Sequence, residues 1–167
     1  EMIQGRFILS DIKISKISEN SLAFSDTESY IIQDIPDIYI GLTMMQLPVK
    51  YAKTNLEFTL TNSCEVYFGF LISYPIPFPP SSPSFSYCDT NTFISILEVE
   101  PNCTKGESKR SSLFRIYKTN FQSGKHALPL SLTDANTNGV SMIMFIGEKH
   151  KNTKKNATQK ALPWILV

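Results

Sequence analysis

The side chains with the strongest intrinsic chemistry in this chain are three thiols and two imidazoles: Cys64, Cys88, Cys103, His126 and His150. A structural zinc site needs such ligands in close pairs, as in Cys-x-x-Cys, so that neighbours reach one tetrahedral ion. No pair of that spacing occurs, and no metal site is expected. A cysteine nucleophile needs a base beside it to hold the thiolate. Cys64 with His126 is the pairing that can be drawn, and nothing local activates either residue. Asp89, Glu98 and Glu100 could supply the acid and base of a glycosidase. Alternation along the strand places Glu98 and Glu100 on a wet face, where the simpler reading is solvation. G-x-G-x-x-G, the phosphate-loop sequence, H-E-x-x-H and G-x-S-x-G are all missing from the sequence, so it reads as non-enzymatic and without a cofactor. Asp134-Ala135-Asn136-Thr137-Asn138-Gly139 has the look of a calcium loop but lacks the downstream glutamate, and reads as a plain turn.

Cysteine and asparagine placement bears instead on compartment. Cys88 and Cys103 flank an apolar segment at a separation that two neighbouring strands and their connection could close into a disulfide, leaving Cys64 buried or intermolecular. Three reduced, buried cysteines are the alternative. Asn102-Cys103-Thr104 and Asn156-Ala157-Thr158 are N-glycosylation acceptors, each in a polar, lysine-containing stretch. Together these features point to an extracellular or cell-surface protein. The chain opens on Glu1 with no apolar leader, and is expected to be excised from something longer.

Binding chemistry is concentrated around one segment. Tyr74-Pro75-Ile76-Pro77-Phe78-Pro79-Pro80-Ser81-Ser82-Pro83 carries five prolines between Pro75 and Pro83, which remove backbone donors and hold an extended, polyproline-like loop. Tyr74, Phe78, Phe85 and Tyr87 lie in or beside it, and are the candidate ligand-binding residues, since exposed rings on a stiff loop offer platforms for sugars or partner side chains. The competing reading is that these rings cover the end of the fold.

The elements that must carry this loop are strands. Helical periodicity is scarce, whereas alternation and short β-branched or aromatic runs bounded by Ser, Asn, Asp, Pro and Gly recur throughout. Strands are expected at Ile12–Ser15, Tyr30–Ile32, Leu56–Leu60, Glu65–Ile72, Phe93–Val99, Leu113–Tyr117, Ala127–Leu132, Val140–Ile146 and Leu162–Val167. Leu56, Phe58 and Leu60 should face a core while Glu57 and Thr59 face water. Glu65–Ile72 is apolar on both faces and suits a central strand. The expected core is led by Leu56, Phe58, Val66, Phe68, Phe70, Ile94, Ile96, Ile116, Ile143 and Phe145. This is the pattern of an all-β, antiparallel β-sandwich of jelly-roll type.

The 167 residues fit one domain, 1–167, with 42% hydrophobic and 19% charged residues, enough to build a core without a metal. Sixteen basic against fifteen acidic residues leave a net charge of +1, which provides no broad field for nucleic acid. Lys149, Lys151, Lys154, Lys155 and Lys160 gather in 148–160, which reads as a solvated surface loop. No apolar run approaches the roughly 18 residues a membrane helix needs, and membrane insertion is not expected.

Glu65-Val66-Tyr67-Phe68-Gly69-Phe70, the proline-rich loop, Phe114-Arg115-Ile116-Tyr117-Lys118, Phe121-Gln122-Ser123-Gly124-Lys125 and Met142-Ile143-Met144-Phe145-Ile146-Gly147 together resemble a known type of module. It is the β-sandwich accessory module found beside catalytic domains in secreted polysaccharide-active bacterial proteins, including some pectate lyases. Phe114 to Gly124 matches the Phe-x-(Val or Ile)-Tyr-x-x-x-Phe-x-x-Gly run of such modules. Leu128-Pro129-Leu130-Ser131 stands where they carry a glycine-rich strand, and the cysteines and acceptor sequons are additional. The resemblance implies a sandwich fold and a non-catalytic role. The expected function is therefore a binding or adhesion module of a larger secreted or surface protein, with a glycan as first ligand. A protein partner docking on the proline-aromatic loop is the alternative, and a hydrolase with a dispersed site a weaker one.

Overall fold

The structure is a computed structural model and describes residues 13–52, 55–73, 76–77, 86–99, 110–130 and 139–147. Its strands are β1 (Lys13–Lys16), β2 (Tyr30–Asp34), β3 (Thr43–Gln46), β4 (Asn55–Leu60), β5 (Cys64–Leu71), β6 (Cys88–Glu98), β7 (Arg110–Phe121), β8 (Gly124–Pro129) and β9 (Met142–Ile146). A 3-10 helix, Asp37–Tyr39, stands between β2 and β3, and no α-helix occurs among the described residues. Every strand pairing is antiparallel, so the fold is all-β and antiparallel, as its alternating sequence requires.

Seven strands form one sheet in the order β1-β3-β9-β5-β7-β6-β2, and β4 pairs with β8 in a second, two-stranded sheet. The edge strands of the large sheet, β1 and β2, are consecutive in the chain. The segment joining them is bonded to both ends of the sheet. Ile17 N donates to Leu42 O at 2.9 Å, Ala23 N to Tyr30 O at 3.0 Å and Ser25 N to Leu47 O at 2.9 Å. The large sheet therefore curls round, and backbone groups at its two edges find partners instead of being left as open templates.

Curling makes two cores, one on each face. The enclosed core holds Ile17, Phe24, Ile32, Tyr39, Met44, Ile94, Ile96, Phe114, Ile116, Ile143 and Phe145. On the outer face the β4–β8 pair lays Leu56, Phe58, Leu60 and Leu128 over Val66, Phe68, Phe70, Met142, Met144 and Ile146. The two-residue period of a strand divides β5 and β9 between these cores. Both are central strands buried on two faces, which explains their near-continuous apolar sequences. All ten residues expected to lead the core are buried, five in each cluster.

The differences from the sequence reading have local causes. β3 was not expected, because Thr43-Met44-Met45-Gln46 shows neither alternation nor β-branched enrichment, yet all four residues are buried. Its polar ends are accommodated by bonding: Gln46 Nε2 donates to the Leu22 carbonyl. β6 starts five residues earlier than Phe93, through an irregularity between Asp89 and Phe93 where Asn91 takes a left-handed φ of 62°. β7 is longer than its apolar centre, running from Arg110 to Phe121. β8 begins at Gly124, whose φ of 121° lets the turn after β7 enter the strand directly. Glu98 was expected on a wet face, but it shares the parity of buried Ile94 and Ile96, and lies at the end of β6 near Arg110, 3.6 Å away. The expected strand 162–167, the lysine-rich 148–160 and the 134–138 stretch lie outside the described residues.

A candidate binding cleft at the end of the curled sheet

β5 begins, and β7 and β9 end, at the same end of the large sheet. There the sheet stops short of the 3-10 helix and leaves a cleft of about 680 Å³. Its lining mixes apolar and aromatic side chains, Ile38, Tyr39, Leu42, Tyr67 and Phe121, with the polar Ser63, Glu65, Asn120 and Gln122. Glu65 and Asn120 are cross-strand partners, so the β ladder itself places a carboxylate beside an amide on one face.

The aromatic part of the lining is built of packed rings. The Tyr67 ring stacks on Phe145 at 5.1 Å between centroids with an interplanar angle of 5°. Tyr39 leans on both, at 5.2 Å from Tyr67 and 5.0 Å from Phe145. Its hydroxyl shares a 2.7 Å hydrogen bond with Thr92 Oγ1. Ile38 stands at the rim with 63% of its surface exposed. The room in front of Tyr67 depends on Gly147. A Cβ there would stand 2.6 Å from Tyr67 Cε1 and 3.1 Å from Glu65 Oε1.

Both oxygens of the Glu65 carboxylate are engaged. Tyr67 Oη donates to Oε1 at 3.0 Å, and Lys118 Nζ lies 3.6 Å from Oε2. Burial, then the hydrogen bond to Glu65 and the charge of Glu65, hold the Tyr67 hydroxyl far above its ordinary pKa. Tyr67 thus stays protonated and committed to Glu65 throughout the neutral range, which fixes the direction of this hydrogen bond.

Of the expected ligand-binding residues, Tyr74, Phe78 and Phe85 lie outside the described residues. Tyr87 is half-buried at the stem of the proline loop, with its ring edge-to-face against Tyr117 at 5.9 Å and 85°. The stem is pinned further by Thr119 Oγ1 donating to the Ser86 carbonyl, by Ile76 packed on the outer core and by buried Pro77. Tyr87 thus packs against the outer core.

Cys88 is an exposed, free thiol at the start of β6, and there is no disulfide among the described residues. Cys103, Asn102 and Asn156 lie outside them. His126 Nε2 is 2.7 Å from the Gln122 carbonyl, with its ring against Phe121 at 4.5 Å. Asp89 is bonded by Arg115 Nε at 2.7 Å and accepts from Asn91 N at 2.7 Å. Asp89 and Glu98 stand at opposite ends of β6, so they cannot flank one glycosidic bond. Among the described residues no group of three or more His, Cys, Asp or Glu is placed to hold a metal, and no helix is long and apolar enough to cross a membrane.

Alternation along Glu65-Val66-Tyr67 signals a polar and aromatic pair sharing a face, but sequence reading assigned the face to a core. The cleft itself was missed because Ser63, Asn120 and Gln122 belong to turn and strand ends that only the β5–β7 register brings together. No known family, no curated protein and no solved structure matches this chain.

Proposed function

We propose that the chain is a non-catalytic binding module of a larger secreted or cell-surface protein, and that it takes a carbohydrate in the cleft at the end of the curled sheet. The observation that carries this reading is a lining that combines aromatic and aliphatic side chains with hydroxyl, amide and carboxylate groups. A sugar ring offers the matching chemistry, C–H faces and a hydroxyl edge. The volume, about 680 Å³, falls in the range of small-ligand sites. A non-catalytic role is supported by the carboxylates. Glu65 alone among the described lining residues is acidic, and glycoside hydrolysis uses two carboxyl groups roughly 5 to 10 Å apart.

The extracellular placement rests on the sequons at Asn102 and Asn156. A second reading, a protein partner docking at the proline-aromatic loop, is favoured by the anchored stem and by exposed Ile72 and Leu113, which are bonded to each other at the far end of β5.

The test is binding of the 167-residue chain to a broad panel of glycans and polysaccharides, with two variants beside it. Asn120→Trp fills the cleft from an exposed position, and Tyr74→Ala/Phe78→Ala removes the loop rings. Saturable binding lost in Asn120→Trp and kept in the loop variant supports the cleft. Loss in the loop variant alone moves the site to the loop, and a blank with folded protein overturns the carbohydrate reading.

A further inference from the structure

We infer that the cleft selects uncharged sugars and excludes acidic ones, with Glu65 as the residue that sets this specificity. The inference rests on the cleft being the sugar site. It departs from what a resemblance to modules of pectate-degrading proteins would suggest, since their substrates are polyuronates.

Among the described residues lining the cleft there is no lysine or arginine, and the single ionised group is the Glu65 carboxylate. The nearby cation, Lys118, stands on Glu65 Oε2 at 3.6 Å, so its charge is already directed at a carboxylate of the protein. A uronate carboxylate entering here would leave water, find no unpaired cation among the described lining residues and stand beside the Glu65 carboxylate, an arrangement that costs affinity in a partly enclosed site. Recognition of anions normally relies on the arginine fork or a lysine, and the described lining presents neither.

The neutral groups point the same way. Asn120 and Gln122 each have an amide N–H₂ to donate and a carbonyl to accept, and Ser63 has a hydroxyl that does both. Sugar hydroxyls also donate and accept, so each can be matched here without a net charge. Tyr67 donates its proton to Glu65, so toward a ligand its oxygen can act only as an acceptor. A neutral ligand can therefore be matched by these groups without bringing a second charge beside Glu65.

The test compares ligands that differ only in charge. The 167-residue chain is titrated calorimetrically with galacto-oligosaccharides and galacturono-oligosaccharides of equal length, and with gluco- and manno-oligosaccharides, at low salt. At least one neutral series is expected to saturate, with the uronates weaker by at least about tenfold. Glu65→Gln, which removes the repelling charge and frees Lys118, and Asn120→Lys, which adds a cation opposite Glu65 at an exposed position, should each close most of that gap. Equal wild-type affinity for neutral and acidic series overturns the selectivity while leaving the cleft as a sugar site. A gap that survives both variants removes Glu65 from its role. A folded chain that binds none of the series overturns the selectivity and the carbohydrate reading together.

Discussion

Gly69 on β5 faces the enclosed core with no room for a side chain. A Cβ on it would stand 2.6 Å from Ile143 Cγ1 and 3.0 Å from Ile116 Cδ1, both in the packed interior. Gly69→Ala should therefore destabilise the fold by overpacking, by roughly 1–3 kcal/mol, measured as a lowered urea midpoint at unchanged slope. On the opposite face of the same strand, Phe68 is fully buried under the β4–β8 pair. Phe68→Ala should cost ~3–5 kcal/mol through lost transfer energy and a residual cavity. An urea-unfolding loss under about 1 kcal/mol would contradict that placement. The two residues differ in how far they could be read from sequence. Phe68 belongs to an apolar run whose period announces its burial. Gly69 owes its identity to Ile143 and Ile116, residues that meet it only through the pairing of β5 with β9 and β7. Gly147 is invisible in the same way, since Tyr67 and Glu65 lie on another strand.

Elements show the same division. Strands with clean alternation or β-branched content, β4, β5 and β9, were legible because burial imposes that pattern directly. β3 was not, because two methionines between Thr43 and Gln46 carry no periodicity, and its burial follows from the crossover segment that folds against it. Gln46 holds that segment by donating to the Leu22 carbonyl. Gln46→Leu should leave the carbonyl without this partner and cost about 1–3 kcal/mol. Hydrogen exchange should then rise first at the amides of Ile17, Ala23 and Ser25, which bond this segment to the sheet. Uniform loss of protection across β5 and β9 would show instead that the crossover is not a separate closing element. The stem of the proline loop was half legible. Its prolines excluded a strand, but the seating of Tyr87 on Tyr117 depends on the β6–β7 register.

At the scale of the whole molecule, three tyrosines couple stability to alkaline pH. Burial, followed by the charge of Glu57, pushes the Tyr51 hydroxyl up from 10.0 to about 12. Tyr67 and Tyr117 are raised too, burial being the largest cause in both. The unfolded chain releases these protons near pH 10 while the folded chain retains them, so the folded state binds more protons above that value. Their contribution is complete below pH 10 and is lost as pH rises toward about 12. The urea midpoint should accordingly fall across that interval. A midpoint that stays flat there would mean these hydroxyls are hydrated in the folded state. Near neutrality the chain, with net charge +1, should show little salt dependence of stability, since it has no excess of like charge to relieve.

Whether the end of the curled sheet binds a sugar is decided by backbone amide chemical-shift mapping of the isotopically labelled 167-residue chain, titrated with the neutral oligosaccharide that binds best. Saturating shifts are expected at Ser63, Glu65, Tyr67, Asn120, Gln122 and Gly147, with the β4–β8 pair silent. Shifts centred instead on Ile76, Tyr87 and Arg115, or none at all with any ligand of the panel, would contradict that placement of the site.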